Sequence, residues 1–354
     1  MKVKLIYSTQ NYHKLVETTA RVCYQSFHKD DEKSHNFIKA IMSKGHISVA
    51  SVGNMVFEVK SEKDSVVEDL INYIIDLTTM HEITQFIKWT IPDEKKNPSD
   101  KFLISMNMLT FLDIYKERDS YEWASSLLKL IIKSLDKVPY LRWFYDKSVE
   151  LPEIRNQYTK KGTPKLYEPI ILDEDYTVLK ALGLNDYELG IHATITANFI
   201  TDRSASLQFW RHWSGGCELS QRYVERDEAE FRELIIDDTA IERLIDKTGM
   251  TEKELLRAIN NIKLTLEQIN VDIINGYESL LERCVNTGMH KGRAKEIARS
   301  ILSNSITTQL IQCRPYRNWM HLFNLRDSNH AQREIQEDVI HLKRVLNEIG
   351  VPVT

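Results

Sequence analysis

The feature that most narrows the folds open to this chain is a change of hydrophobic period between residues 191 and 223. Residues 191–200, IHATITANFI, alternate apolar and polar side chains with β-branched residues among them, as a strand does. From Arg203 to Trp213 the period becomes helical: Ser204, Gln208 and Arg211 fall at i, i+4 and i+7 on one face, while Leu207 and Trp210 share another. Gly215 and Gly216 predict the end of that helix. Beyond them Glu218, Ser220 and Arg222 alternate with Leu219, Gln221 and Tyr223, so an extended segment would point acceptor, hydroxyl and guanidinium the same way. Such a set suits a ligand with an anion and a planar hydrogen-bonding edge, because Arg forks onto phosphate. Taken singly, an Arg-His pair is more often surface than site, and a Gly-Gly is usually only a turn.

Composition limits the partners. With 354 residues, 42% of them hydrophobic and 28% charged, the chain can bury at least one sizeable core in one or two domains. A net charge of -4 makes any phosphate recognition local, so nucleic acid is not an expected partner. Cys23, Cys217, Cys284 and Cys313 lie far apart, which fits reduced thiols and no metal site. No apolar run of about eighteen residues occurs, so no membrane association is expected and the cytoplasm is the default compartment.

Along the chain, residues 1–7 read as a strand, 12–27 and 31–43 as helices, and 55–59 as a strand. Residues 65–80, 102–115 and 121–135 carry helical patterns, with charged connectors at 91–101 and 160–175. Short helices are expected at 228–235 and 239–247, then a long one capped by Thr251 with Glu254 three residues on. Its length suggests packing along a partner helix, within the fold or across subunits. Residues 292–301 form a further helix and 307–313 an extended segment.

Between Tyr316 and Leu325 the apolar residues Trp319, Met320, Leu322, Phe323 and Leu325 cover a broad helical face, opposite Arg317, His321 and Asn324. Arg326 then projects between Trp319 and Leu322, where an unpaired guanidinium is costly. It calls for an anionic or carbonyl partner, either a protein carboxylate or a ligand.

Several of these motifs resemble the flavin-dependent thymidylate synthases (the ThyX family). That family has an Arg-His-Arg followed about seven residues later by Ser-x-Arg-Tyr; here Arg211-His212-Trp213 precede Ser220-Gln221-Arg222-Tyr223, one residue closer. Gly45, His46 and Ser48 match its Gly-His-x-Ser, whereas Ser51 and Val52 stand where it has Glu-His. Residues 317–335, RNWMHLFNLRDSNHAQREI, look like its C-terminal block, with Pro315 replacing an Asn. The resemblance covers about residues 1–60 and 190–345.

It implies an α/β (α+β) fold, a core of mixed sheet and helices formed by 1–60 and 186–354, with 61–185 as a mainly helical insertion. It also implies a homotetramer that binds FAD between subunits and converts dUMP to dTMP with methylenetetrahydrofolate and NADPH. Carried across residue by residue, Arg326 would activate the uracil. Gln208, Glu218, Ser220, Arg222 and Arg299 would bind the nucleotide, and Arg211, His212, Arg317 and His321 would hold the flavin. Val52, Trp213 and Pro315 each replace a flavin-contacting residue. They keep open two alternatives: a non-catalytic or repurposed pyrimidine-nucleotide-binding relative, and a variant adding a different one-carbon group.

Overall fold

Short alternating runs pair into two sheets, in a computed structural model that describes residues 2–27, 34–60, 88–90, 101–116, 122–146, 168–212, 214–226, 230–234, 236, 238–328 and 330–353. The first contains β1 (Lys2–Ser8), β2 (Met55–Lys60), β3 (Lys88–Thr90) and β4 (Lys101–Met106) in the order β1-β2-β4-β3. The second contains β5 (Ile170–Glu174), β6 (Thr194–Asp202), β7 (Gly215–Glu218) and β8 (Thr307–Pro315) in the order β5-β6-β8-β7. Every one of these pairings is antiparallel. The α+β class expected from the resemblance therefore holds, and β2 and β4 carry apolar residues on both faces because they lie between two cores.

The first core packs sheet one against helices α1 (Tyr12–Tyr24) and α2 (Ser34–Ser43), α3 (Met108–Lys116), α4 (Glu122–Leu135) and α5 (Pro139–Arg142). Met55, Phe57 and Val59 of β2 face it, while Val56 turns to the second core. The second core joins β6 to α6 (Tyr176–Ala181), α7 (Asp186–His192), α8 (Arg203–Trp210), α12 (Tyr316–Arg326) and α13 (Arg333–Glu348), with Trp319, Phe209 and Phe323 almost wholly enclosed. Between them in sequence lie α9 (Asp238–Thr248), α10 (Glu252–Asn286) and α11 (Lys291–Ala298). Helix α10 starts at the expected capping box, with Glu254 N donating to Thr251 Oγ1 at 3.3 Å and Thr251 N to Glu254 Oε2 at 2.9 Å. Among the described residues no helix is long and apolar enough to cross a membrane.

Several expectations need correction. Residues 102–115 are not one helix: β4 runs to Met106 and α3 begins at Met108. The cause is two-sided burial, since Phe102, Ile104 and Met106 face one core and Leu103 the other, which blurs the period of two. With β3 and β5, β4 makes the segment 61–185 a contributor to both sheets as well as to the helices, and residues 65–80 lie outside the described ones. Ile191 and His192 close α7, so β6 starts at Thr194. Residues 230–234 are not helical; Phe231 bridges Ile306, and Arg232 is buried against Asp202 and Asp338.

Candidate functional site

Helix α8 starts where Asp202 Oδ1 accepts from Ala205 N at 2.9 Å, and it stops at Trp210 rather than at the glycines. Gly215 and Gly216 open β7, where the backbone leaves no room for a side chain. A Cβ on Gly215 would sit 2.0 Å from Ser51 O, and one on Gly216, at φ +134°, would sit 1.9 Å from Ile311 O. The strand ends at Glu218 and the chain turns, with Tyr223 N and Val224 N both donating to Ser220 O. Glu218, Ser220 and Arg222 therefore do not project together, contrary to the extended reading.

Glu218 is a hub inside the protein. Its Oε1 accepts from Ser206 Oγ at 2.9 Å, Thr308 Oγ1 at 3.0 Å and Arg203 Nη1 at 3.2 Å, and its Oε2 from Trp210 Nε1 at 2.9 Å. These bonds tie α8 to sheet two. Gln208, buried on α8, donates to Gln332 Oε1 at 2.6 Å, and Gln332 donates to Ser204 Oγ at 2.8 Å, so α8 is also fixed to the start of α13.

The C-terminal end of α8 gathers cations, which its unpaired carbonyls favour. Phe209 O accepts from His212 N at 3.2 Å and from Arg314 Nη2 at 2.6 Å. Arg326 reaches the same place from α12, its Nη2 3.4 Å from His212 Nε2, and the His321 ring lies 6.0 Å from that of His212. Burial pushes the His212 imidazole down to about 4, helped by Arg314, Arg326, His321 and Arg211. It is therefore neutral at pH 7, and its Nε2 can only accept from the permanently charged Arg326, which places the ring proton on Nδ1. Arg326 Nε is buried with no hydrogen-bond partner among the described residues. The partner demanded for Arg326 is half found: an imidazole stands beside it, and among the described residues no carboxylate does.

A second group lies elsewhere on the chain. Ser220 N donates to Cys23 O at 3.1 Å, and its hydroxyl accepts from Arg222 N at 3.3 Å. Exposed Arg222 pairs with Glu296 Oε1 at 2.6 Å, one turn before Arg299 along the same helical stretch. The Arg299 side chain has no hydrogen bond or ion pair among the described residues. No described contact joins this group to Arg326 and His212. Arg317 stands apart from both, exposed at the start of α12 on the rim of a cavity of about 270 Å³ between the sheets.

Two of the replaced family positions have structural explanations. Val52 is fully enclosed in the first core, and its carbonyl accepts from Tyr12 Oη. Ser51 Oγ accepts from Gly216 N at 2.9 Å, so this turn braces β7 instead of presenting an acid. Pro315 precedes α12 beside the cavity, and Trp213 lies outside the described residues. Sequence reasoning missed Arg314, which is wholly buried, lies 5.0 Å from the Trp319 ring and leaves Nε and Nη1 without hydrogen-bond partners among the described residues. Burial lowers its pKa to about 9. The signal was present in the alternation of Gln312 and Arg314 against Ile311 and Cys313, two polar residues on one face of a central strand.

The sequence model of the thymidylate synthase complementing proteins matches residues 4–80 and 153–350, more than half of the chain. The chain belongs to that family. Among curated relatives it is 26% identical over 142 residues to the flavin-dependent thymidylate synthase of Corynebacterium glutamicum, covering 40% of this chain and 51% of that protein. To the enzyme of the same name from Mycobacteroides abscessus it is 25% identical over 174 residues, covering 49% and 61%. To that of Thermosipho melanesiensis it is 29% identical over 217 residues, covering 53% and 86%. The chain thus spans about half to three fifths of the corynebacterial and mycobacterial relatives. Residues 81–152, which supply β3, β4, α3, α4 and α5, fall outside the family match.

Proposed function

We propose that this chain methylates dUMP to dTMP as a flavin-dependent thymidylate synthase, with FAD as cofactor, methylenetetrahydrofolate as one-carbon donor and NADPH as reductant. The observation that carries the reading is Arg326: at the position of the family's Leu-Arg, its guanidinium is half-buried, holds an unpaired buried Nε and faces a neutral imidazole in place of a carboxylate. Such a group has donors to spare for a uracil carbonyl, and its fixed charge stabilises negative charge developing on the ring.

FAD fits the donor set. Arg211, His212, Arg317 and His321 have no carboxylate partner among the described residues, and a diphosphate needs cations that are not already neutralised. When bound, FAD supplies the redox chemistry that no side chain here can provide. Arg222, Arg299, Ser220 and Gln208 are read as nucleotide-binding residues. Glu218 acts by holding α8 in place.

A homotetramer is part of the proposal. The cavity, at about 270 Å³, is smaller than the roughly 300–1,000 Å³ of pockets that enclose drug-sized ligands, so a dinucleotide must lie partly outside it. Among the described residues the two arginine groups share no contact, and a second copy can bring them together. We read 1–60 and 186–354 as the catalytic core, 61–185 as its elaboration, and the cytoplasm as its compartment. A non-catalytic nucleotide-binding relative is the second reading, favoured by the enclosure of Val52 where the family has a flavin-contacting His. The visible spectrum of the purified protein separates them: flavin absorbance near stoichiometry that shifts on adding dUMP is expected, and a colourless protein that takes up no added FAD contradicts the proposal.

A further inference from the structure

The cavity between the sheets has a wall that includes Lys88, Ser214, Arg317 and Asn318 and, among the described residues, no Asp or Glu. Lys88 comes from β3, within the stretch 81–152 that the family match omits, so the family's motifs assign it nothing. Its ammonium makes no hydrogen bond or ion pair among the described residues. Burial lowers its pKa, and only the Cys313 thiol and the Asp175 carboxyl pull the other way. A charge removed from water without a partner is costly, and the cost is relieved when an anion arrives.

The other polar groups sort into braces and free donors. Asn54 spends its amide on Asp175 Oδ2 at 2.8 Å and His192 O at 2.7 Å, and Asn107 donates to Ser51 O at 3.0 Å; both hold the walls. Asp175 also accepts from Thr194 N and, at 3.2 Å, from Thr194 Oγ1, so its oxygens are taken up by donors of the walls, and burial raises its pKa. Ser214 Oγ, in contrast, is buried with no hydrogen-bond partner among the described residues. A lysine, a free hydroxyl and an exposed arginine at the rim match a group with three acceptor oxygens and up to two negative charges.

We propose that this cavity is a phosphate-binding site in which Lys88 is the charge partner, Ser214 a second donor and Arg317 the outer clamp. The phosphate is carried by a nucleotide or is free in solution, and the two sources are distinguished by titration. Only the choice of FAD and dUMP as probes rests on the proposed function.

Calorimetric titration of inorganic pyrophosphate, FAD and dUMP into the full chain and into Lys88→Met tests the site. Loss of one charge-assisted contact is expected to weaken the occupying ligand about 10- to 100-fold. Weakening of FAD alone assigns the cofactor's diphosphate, of dUMP alone the nucleotide's phosphate, and of pyrophosphate alone a free anion. Equal affinity of both proteins for all three, or no binding of any to the wild type, overturns the proposal. Lysine acetylation of the wild type, read by mass spectrometry, needs no variant: Lys88 is expected to be protected by the ligand that binds, and unchanged labelling at saturation overturns the site. Retained pyrophosphate binding in a protein without turnover leaves the site standing and removes the proposed function instead.

Discussion

Glu218→Gln separates a structural acceptor from a ligand-binding one. In the wild type Oε1 accepts from Ser206, Thr308 and Arg203, and Oε2 from Trp210. The amide keeps one oxygen. Turned towards the three donors, it aims its NH₂ at Trp210 Nε1, and stranding that indole N–H costs about 1–3 kcal/mol. Loss of charge against Arg203, whose side chain is 35% exposed, adds less than about 1 kcal/mol after solvent screening. The sum is roughly 1–4 kcal/mol, read as a lower midpoint in urea denaturation followed by tryptophan fluorescence. Turnover should fall only as far as α8 loosens. A stability change below about 0.5 kcal/mol together with a roughly tenfold rise in KM for dUMP would instead return Glu218 to the nucleotide.

Other outcomes follow from the same geometry. Arg326→Lys keeps the charge and loses the planar fork, so turnover should drop by about two orders of magnitude while dUMP still binds in calorimetry. Arg232→Met leaves Asp202 and Asp338, both buried, without their cation and should destabilise the fold by about 3–5 kcal/mol in urea denaturation. The folded pKa of Asp175, about 8, lies above its unfolded value of about 3.9, so its stabilisation is complete below the latter and is lost as pH rises towards 8. His192, held down to about 3 by burial, acts in the opposite direction only below its unfolded value of about 6.5. Between about pH 6.5 and 8 the contribution of Asp175 should decline by at most about 1.4 kcal/mol per unit, and Asp175→Asn should flatten that part of a melting-temperature profile against pH.

Much of the site was legible because its signals are local. The alternation leading to β6, the capping box of Thr251 and Glu254, and the placement of Arg326 between Trp319 and Leu322 each lie within a few turns of sequence. What was missed depends on distant partners. The four donors that occupy Glu218 come from residues 203, 206, 210 and 308, and no local pattern foretells their convergence. Gly215 and Gly216 read as a helix stop because the alternative, close approach of β7 to Ser51 and to β8, is set by tertiary packing. The strand β4 was mistaken for helix since burial on both faces erases its alternation, and Lys88 sits on a strand of three residues too short to carry a period.

The most direct measurement is release of tritium from [5-³H]dUMP by the purified chain supplied with FAD, NADPH and methylenetetrahydrofolate, with dTMP quantified by chromatography. Release is expected to require all of these components and to fall about a hundredfold in Arg326→Lys. Stoichiometric dUMP binding with neither tritium release nor dTMP under those conditions would contradict it.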